Sequence, residues 1–285
     1  MIKRVIEKWK QYKYRFVPWI ALNLKDRSIR AVPSKSSDEI IPKIEALQFV
    51  ETLFQAFDAS EKCDNQKYNV KAHNGQDGSR LLYTDKKTIS VRNLSVMSDV
   101  VGFTIGRKVS GLAHGGTGVF VTSGMVPVHT VVAMYPGTLY YNYEPILLQS
   151  INNPFIFRCL DGLLIDGNDK GISKYLYRSC SNRDRVGPYL MCDRSWLSTH
   201  PINPLAIGQY VNNQSKRHSA NVAYQEIIVP KDFPFSLKKY IPNIYYSASI
   251  DNPDEIRLTR LVVLVSTRTI ECGEELFSTY FTVVY

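Results

Sequence analysis

The stretch GQYVNNQSKRHSANVAYQE, Gly208 to Glu226, decides how the rest of the chain is read. Two apolar, strand-like ends, Tyr210-Val211 and Val222-Ala223-Tyr224, bracket a polar run in which Asn212 and Asn213 stand side by side and Asn221 closes the segment. A side-chain amide carries two donor hydrogens and an acceptor oxygen, and leaving them unmatched beside buried strands costs about 1–3 kcal/mol per group. Something specific must therefore use these amides.

Working outward, the 285 residues are 44% hydrophobic and 12% aromatic, enough for a packed core that folds alone. No apolar run is long enough to span a bilayer, and the first residues lack the pattern of a secretory signal, so an intracellular protein, nuclear or cytoplasmic, is expected. The five cysteines, Cys63, Cys159, Cys180, Cys192 and Cys272, are widely separated with no C-x-x-C pair. They spell out neither a disulfide framework nor a metal cluster, and no metal is expected. The formal net charge of +9 admits an anionic partner such as nucleic acid or chromatin, although no aromatic-basic binding motif accompanies it. Six of the Lys and Arg residues fall in MIKRVIEKWKQYKYR, against one Glu. There Ile2, Val5, Ile6, Trp9 and Tyr12 recur at helical spacing, a basic amphipathic helix that fits a packed N-terminal helix, a docking element or a mitochondrial presequence.

Residues 1–100 read as a mainly helical N-terminal region. In SSDEIIPKIEALQFVETLFQAFD, Ser36 with Glu39 forms a capping-box pattern, followed by apolar residues at Ile40, Ile44, Leu47, Phe54 and Phe57. From about residue 101 the pattern changes to short runs rich in Val, Ile, Tyr and Thr: GVFV, TVVAMY, FIFRCL, GLLID, IGQYV, VAYQEIIV, LTRLVVLVSTRTI and FSTYFTVVY. They predict strands. The runs are too irregularly spaced for alternating strand and helix units, so an α+β, mainly β fold of several small sheets is expected over 101–285.

The motifs gain meaning from their order. HGGTGVFV carries Gly116 and Gly118 around Thr117 and leads into a strand, without the third glycine and following helix of a dinucleotide site. Next comes a strand ending Tyr135-Pro136-Gly137, then the amide-rich stretch, then Gly273-Glu274-Glu275-Leu276 shortly before Tyr280-Phe281. This succession resembles the SET-domain protein lysine methyltransferases over roughly residues 103–285. Within that superfamily, FIFRCLDGLLIDGNDKGISK together with GQYVNN and GEELFSTYF is similar to one small group.

The resemblance implies a SET β-fold whose C-terminal segment passes under a loop to form a pseudoknot, an exception to the rule against threaded chains. It implies S-adenosyl-L-methionine as cofactor and a protein substrate with an exposed lysine. Gly116, Thr117 and Gly118 would approach the amino-acid end of the cofactor, where a β-carbon obstructs. Asn212 would hydrogen-bond the cofactor, Asn213 would hold the adenine through its backbone, and Tyr135 would join the same pocket. Tyr280 would be the catalytic tyrosine, its hydroxyl near the transferring methyl and the amine. Phe281 and Tyr135 would wall the lysine channel. Glu275 and Asn221 would support the pseudoknot, with Gly273 at the turn before it. Glu274 and Glu275 are thus read as structural rather than as general bases.

Three positions depart from the family pattern: Asn213 stands for a His, Ser215 for a Cys, and about three extra residues precede Asn221. His218-Ser219-Ala220-Asn221 offers a second register but lacks the leading Asn, so Asn212 is preferred. These departures admit an alternative function, a catalytically weak SET-like scaffold or reader that binds a protein partner. A variable insertion occupies about 167–203, and either it or the N-terminal helices is the expected cover for the lysine channel. Its Arg185, Tyr189 and Trp196 fit either local core or a partner surface. His73, His114, His129 and His200 form no ligand spacing.

Overall fold

Leu261, Val262, Val263, Leu264 and Val265 are consecutive, apolar and wholly buried. A run apolar at every position, rather than alternate ones, demands cover on both faces of its sheet. The computed structural model describes residues 38–73, 86–113, 115–151, 153–186, 189–248 and 258–279. The basic N-terminal segment, Ser36, His114, Tyr280 and Phe281 lie outside the described residues.

Two helices, α1 (Lys43–His73) and α2 (Lys86–Val101), precede a hairpin of β1 (Phe103–Val109) and β2 (Thr117–Gly124). Then come β3 (Val131–Met134), β4 (Gly137–Tyr140), a single turn α3 (Leu147–Ser150), β5 (Ile156–Arg158), β6 (Leu164–Asp166) and α4 (Gly171–Arg183). The remainder carries β7 (Asn212–Asn213), β8 (Val222–Val229), β9 (Asn243–Tyr245), β10 (Thr259–Ser266) and β11 (Phe277–Ser278). Three-ten turns sit at Ser195–Leu197, Gly208–Tyr210 and Phe235–Tyr240. The strands form three small sheets, β1-β2, β3-β10-β8-β11-β7 and β5-β6-β4-β9. This is the expected α+β, mainly β architecture. None of the described helices is long and apolar enough to cross a membrane.

One feature of the five-stranded sheet positions the site. Strands β7 and β8 are consecutive in the chain, yet β11 lies between them, parallel to both. The loop joining β7 to β8 therefore has to cross the C-terminal strand. That crossing is the pseudoknot expected from the resemblance.

Helix α1 covers the core through most of the predicted face, since Leu47, Phe54 and Phe57 pack there and Ile44 alone of its predicted residues does not. Ala46, Val50, Leu53, Phe54 and Phe57 of α1 are buried, whereas Ile44 is exposed. Phe54 and Phe57 pack on the Tyr240 ring at 5.4 and 5.6 Å. Tyr240 in turn donates its hydroxyl to Glu61 at 2.9 Å, and the Lys239 ammonium joins Asp58 at 2.8 Å and Glu61 at 2.9 Å. The capping-box expectation is corrected: α1 starts at Lys43, after Pro42, not near Ser36. Residues before it are held elsewhere, because the Gln225 amide accepts from Ile40 and Ile41 N–H and donates to Ile41 O, while Asp38 accepts from Glu226 N–H. A second correction concerns IGQYV, which forms a three-ten turn rather than a strand. Gly208 there packs so tightly that a β-carbon would meet Met134 O at 2.6 Å.

The insertion builds a small core of its own. Tyr177 of α4 meets Trp196 edge-on at 4.9 Å, with Cys180, Cys192, Leu197, Ala206 and Ile244 around them. Trp196 is a core residue, while Tyr189 remains exposed with its ring edge-on to Phe235.

Candidate functional site

The crossing of β11 and the loop before β2 brings together residues more than a hundred positions apart. Glu275 is their hub. Its Oε1 accepts from Ser110 Oγ at 2.6 Å and from Asn212 Nδ2 at 3.1 Å, and its Oε2 accepts from Gly111 N–H at 2.9 Å. An ionised carboxylate is acceptor-only, so a ring of donors is its natural complement. The side chain is mostly buried, at 8% exposure, which strengthens each of these bonds.

Gly118 makes room for that hub. A β-carbon there would lie 2.1 Å from Glu275 Oε1, so its glycine is required by the carboxylate. The sequence assigned the same need to a cofactor. Gly116 is different: its φ is +62° and nothing lies within 4 Å of a built β-carbon. It supplies a left-handed turn beside open space. Thr117, between them, is exposed, and its carbonyl accepts from Asn212 Nδ2 at 3.2 Å.

The three amides that opened the sequence problem now have separate duties. Asn221 is 1% exposed and bonds on all sides. Its Nδ2 donates to Glu275 O at 2.9 Å, its Oδ1 accepts from Phe277 N–H at 2.8 Å, and its own N–H donates to Phe277 O at 2.9 Å. It secures the strand inserted beneath it. Asn212 joins the Glu275 hub to the Thr117 carbonyl, and among the described residues its Oδ1 accepts nothing. Asn213 pairs with Ser278 in the sheet and is half-buried. The extra residues before Asn221 form an exposed turn, in which Ser215 N–H donates to His218 O at 2.9 Å. The His218 ring stacks on Phe277 at 5.1 Å. The insertion is thus accommodated outside the sheet.

Glu274 faces outward. Arg268 grips both of its oxygens, at 3.2 and 2.6 Å, and this ion pair holds the Glu274 carboxyl below the usual range. Gly273 precedes it with φ +89°. A cleft of about 390 Å³ adjoins the hub, lined by Gly111, Phe120, Arg217, His218, Glu275 and Phe277 among others.

Tyr135 sits elsewhere. It is wholly buried, donates its hydroxyl to Phe155 O at 2.8 Å and packs on Phe157 at 5.1 Å. In the described structure it is a core residue, not a side chain on an open wall. Ser110 and Gly111 are the site residues that sequence reasoning missed. No motif marks them, because their partner Glu275 is 165 and 164 residues away.

No protein-family model matches the chain. It is 47% identical over 299 aligned residues to SET domain-containing protein 9 of Homo sapiens, covering 100% of this chain and 98% of that protein. It is 46% identical over 270 residues to SET domain-containing protein 9 of Pongo abelii, covering 90% of this chain and 97% of that one. Among solved structures, ctPRC2 in an autoinhibited conformation bound to S-adenosylmethionine aligns over 66% of this chain and 16% of its own, at 13% identity. The TM-score of 0.32 is too low for that likeness to bear on the site.

Proposed function

Since the chain belongs to the SET domain-containing protein 9 family, we propose that it is an S-adenosylmethionine-dependent methyltransferase acting on a protein lysine. The observation that carries the reading is the convergence of Thr117, Asn212 and Glu275, which joins the G-x-G loop to the amide-rich segment. The cofactor supplies a methyl carbon already attached to a good leaving group, so the chain's own work is alignment and exclusion of water.

The residues present fit such a cofactor. Gly116 and Thr117 are both exposed, and at Gly116 open space lies where a β-carbon would stand. Asn212 Oδ1, which accepts nothing among the described residues, is an acceptor for the cofactor's ammonium group. Its orientation is locked because its Nδ2 is held by two oxygens, and a preorganised acceptor loses little entropy on binding. Glu275 and Asn221 act through the fold: they fix the strand that leads to Tyr280. Tyr280, at the family's tyrosine position, would hold the lysine amine against the methyl with its hydroxyl.

Calorimetric titration with S-adenosylmethionine tests the cofactor, and a tritiated-methyl assay on cell extract tests the acceptor. Binding together with label on protein is the expected result. Well-folded protein that shows no binding heat would instead favour the scaffold or reader function. Tyr280→Phe should leave cofactor affinity largely intact while lowering methyl transfer by about a hundredfold, as expected of a hydroxyl that acts in the transition state.

A further inference from the structure

A second cavity, about 570 Å³, lies between the N-terminal helices and the insertion and shares no lining residue with the cleft beside Glu275. Its cations come from four separate segments: Lys86 at the start of α2, Lys174 and Arg178 one turn apart on α4, Arg194 before the Ser195 turn, and Lys239. Lys239 is already balanced by Asp58 and Glu61. Lys86 and Arg178 are exposed and enter no ion pair among the described residues. An outer rim that is positive and largely uncompensated is a site for an anion.

The inner wall has the opposite need. Asp193 lines the same cavity at 1% exposure. Its Oδ1 accepts from Ser195 N–H and Ser195 Oγ, both at 2.6 Å, but its Oδ2 has no hydrogen-bond partner among the described residues. A buried carboxyl oxygen without a partner is costly unless a donor reaches it. A simple anion satisfies the rim but brings no donor to Asp193; a simple cation meets Asp193 and is repelled by the rim. A ligand that answers both carries an anionic group at one end and hydroxyl or amine donors at the other.

We propose that this cavity binds a phosphomonoester bearing hydroxyl or amine donors, such as a sugar phosphate or a mononucleotide, with the phosphate among Lys86, Lys174, Arg178 and Arg194 and a donor on Asp193. The volume suits a molecule of that size. A guanidinium and an ammonium spaced one helical turn apart, as on α4, can grip a phosphate from one side. This inference does not rest on the methyltransferase reading.

The test is calorimetry on the full chain with ribose 5-phosphate, AMP, ribose and inorganic phosphate, beside a glutamate-rich peptide. Ribose 5-phosphate or AMP should bind about tenfold or more tightly than inorganic phosphate, and ribose should not bind. Which of the two binds better separates a sugar-phosphate site from a nucleotide site. Arg178→Glu and Lys86→Glu, exposed changes that leave the core alone, should each weaken binding by about tenfold with an unchanged circular dichroism spectrum. The proposal is overturned if no phosphate compound binds, if inorganic phosphate binds as tightly as ribose 5-phosphate, if the two variants bind like the parent, or if the acidic peptide outcompetes every phosphate.

Discussion

Gly118 and Glu275 are mutually exclusive with any larger residue at 118: a β-carbon would stand 2.1 Å from Glu275 Oε1 and 2.8 Å from its Cδ. The second glycine of the G-x-G loop and the second glutamate of the G-E-E-L segment are therefore two halves of one feature. Gly118→Ala should push the carboxylate off Ser110, Gly111 and Asn212, combining overpacking with stranded donors, and lose about 3 kcal/mol of stability. Urea denaturation checks this, with Gly116→Ala as the contrast. At Gly116 the cost is backbone strain alone, about 1 kcal/mol, because nothing lies within 4 Å. Equal losses at the two positions would contradict the relationship.

Asn221 offers a sharper substitution series. Asn221→Ala removes a buried donor and a buried acceptor and should cost about 3 kcal/mol. Asn221→Asp keeps the acceptor for Phe277 N–H but turns an oxygen toward the Glu275 carbonyl. At neutral pH it should be at least as damaging as alanine. The buried aspartate's folded-state value would be raised, so part of the loss should return as pH falls and the carboxyl becomes protonated. A variant whose pH dependence between about 4 and about 7 matches the parent's would show that the new carboxyl is solvated and the crossing is open.

The parts of the site legible in the sequence are those whose residue type is itself the message. Adjacent amides beside apolar strand ends indicated that Asn212 and Asn221 had partners, and Glu275 followed from its motif. What stayed hidden was set by contacts between distant segments. Ser110 and Gly111 look like ordinary loop residues until the chain brings Glu275 onto them. IGQYV has the composition of a strand, but the close approach of Gly208 to the Met134 carbonyl fixes a tight turn there. Ile44 lies in α1 and yet faces solvent, because it stands on the side of the helix away from Val50, Leu53 and Phe57, which make the buried face. Tyr135 carries a motif position but spends its ring in the core and its hydroxyl on Phe155.

Asn212 should separate cofactor affinity from stability. Asn212→Ala loses the donors to Glu275 and Thr117, a cost of about 1 kcal/mol, since both acceptors keep other partners or solvent. Affinity for S-adenosylmethionine should fall by about tenfold or more, because the oriented acceptor is gone. Asn212→Asp places a second carboxylate where Nδ2 now sits 3.1 Å from Glu275 Oε1, and like charges at that range should destabilise the fold more than alanine does. Paired denaturation and calorimetry decide it. An aspartate variant as stable as the parent would mean that the contact between Asn212 and Glu275 does not hold the hub together.

Asp193 sets a pH dependence of the opposite sign to that of ordinary acid denaturation. Burial pushes its carboxyl up to about 7 from an ordinary 3.8, outweighing the hydrogen bonds from Ser195. Between about pH 4 and about pH 7 the folded chain then keeps a proton that the unfolded chain releases, so stability is lost as pH rises through that window. The expected loss is about 2–4 kcal/mol from this group, flattening above the folded value. Asp166, also raised by burial, adds in the same direction. Asp58 and Glu274 are both lowered, the first by Lys239 and Lys62 against its burial and the second chiefly by Arg268, and their contributions fade only as pH falls below about 4. Urea midpoints measured from about pH 4.5 to about pH 7.5 should therefore decline for the parent chain, and the decline should be much shallower in Asp193→Asn. Identical slopes in the two proteins would place the titration elsewhere and remove Asp193 from the account.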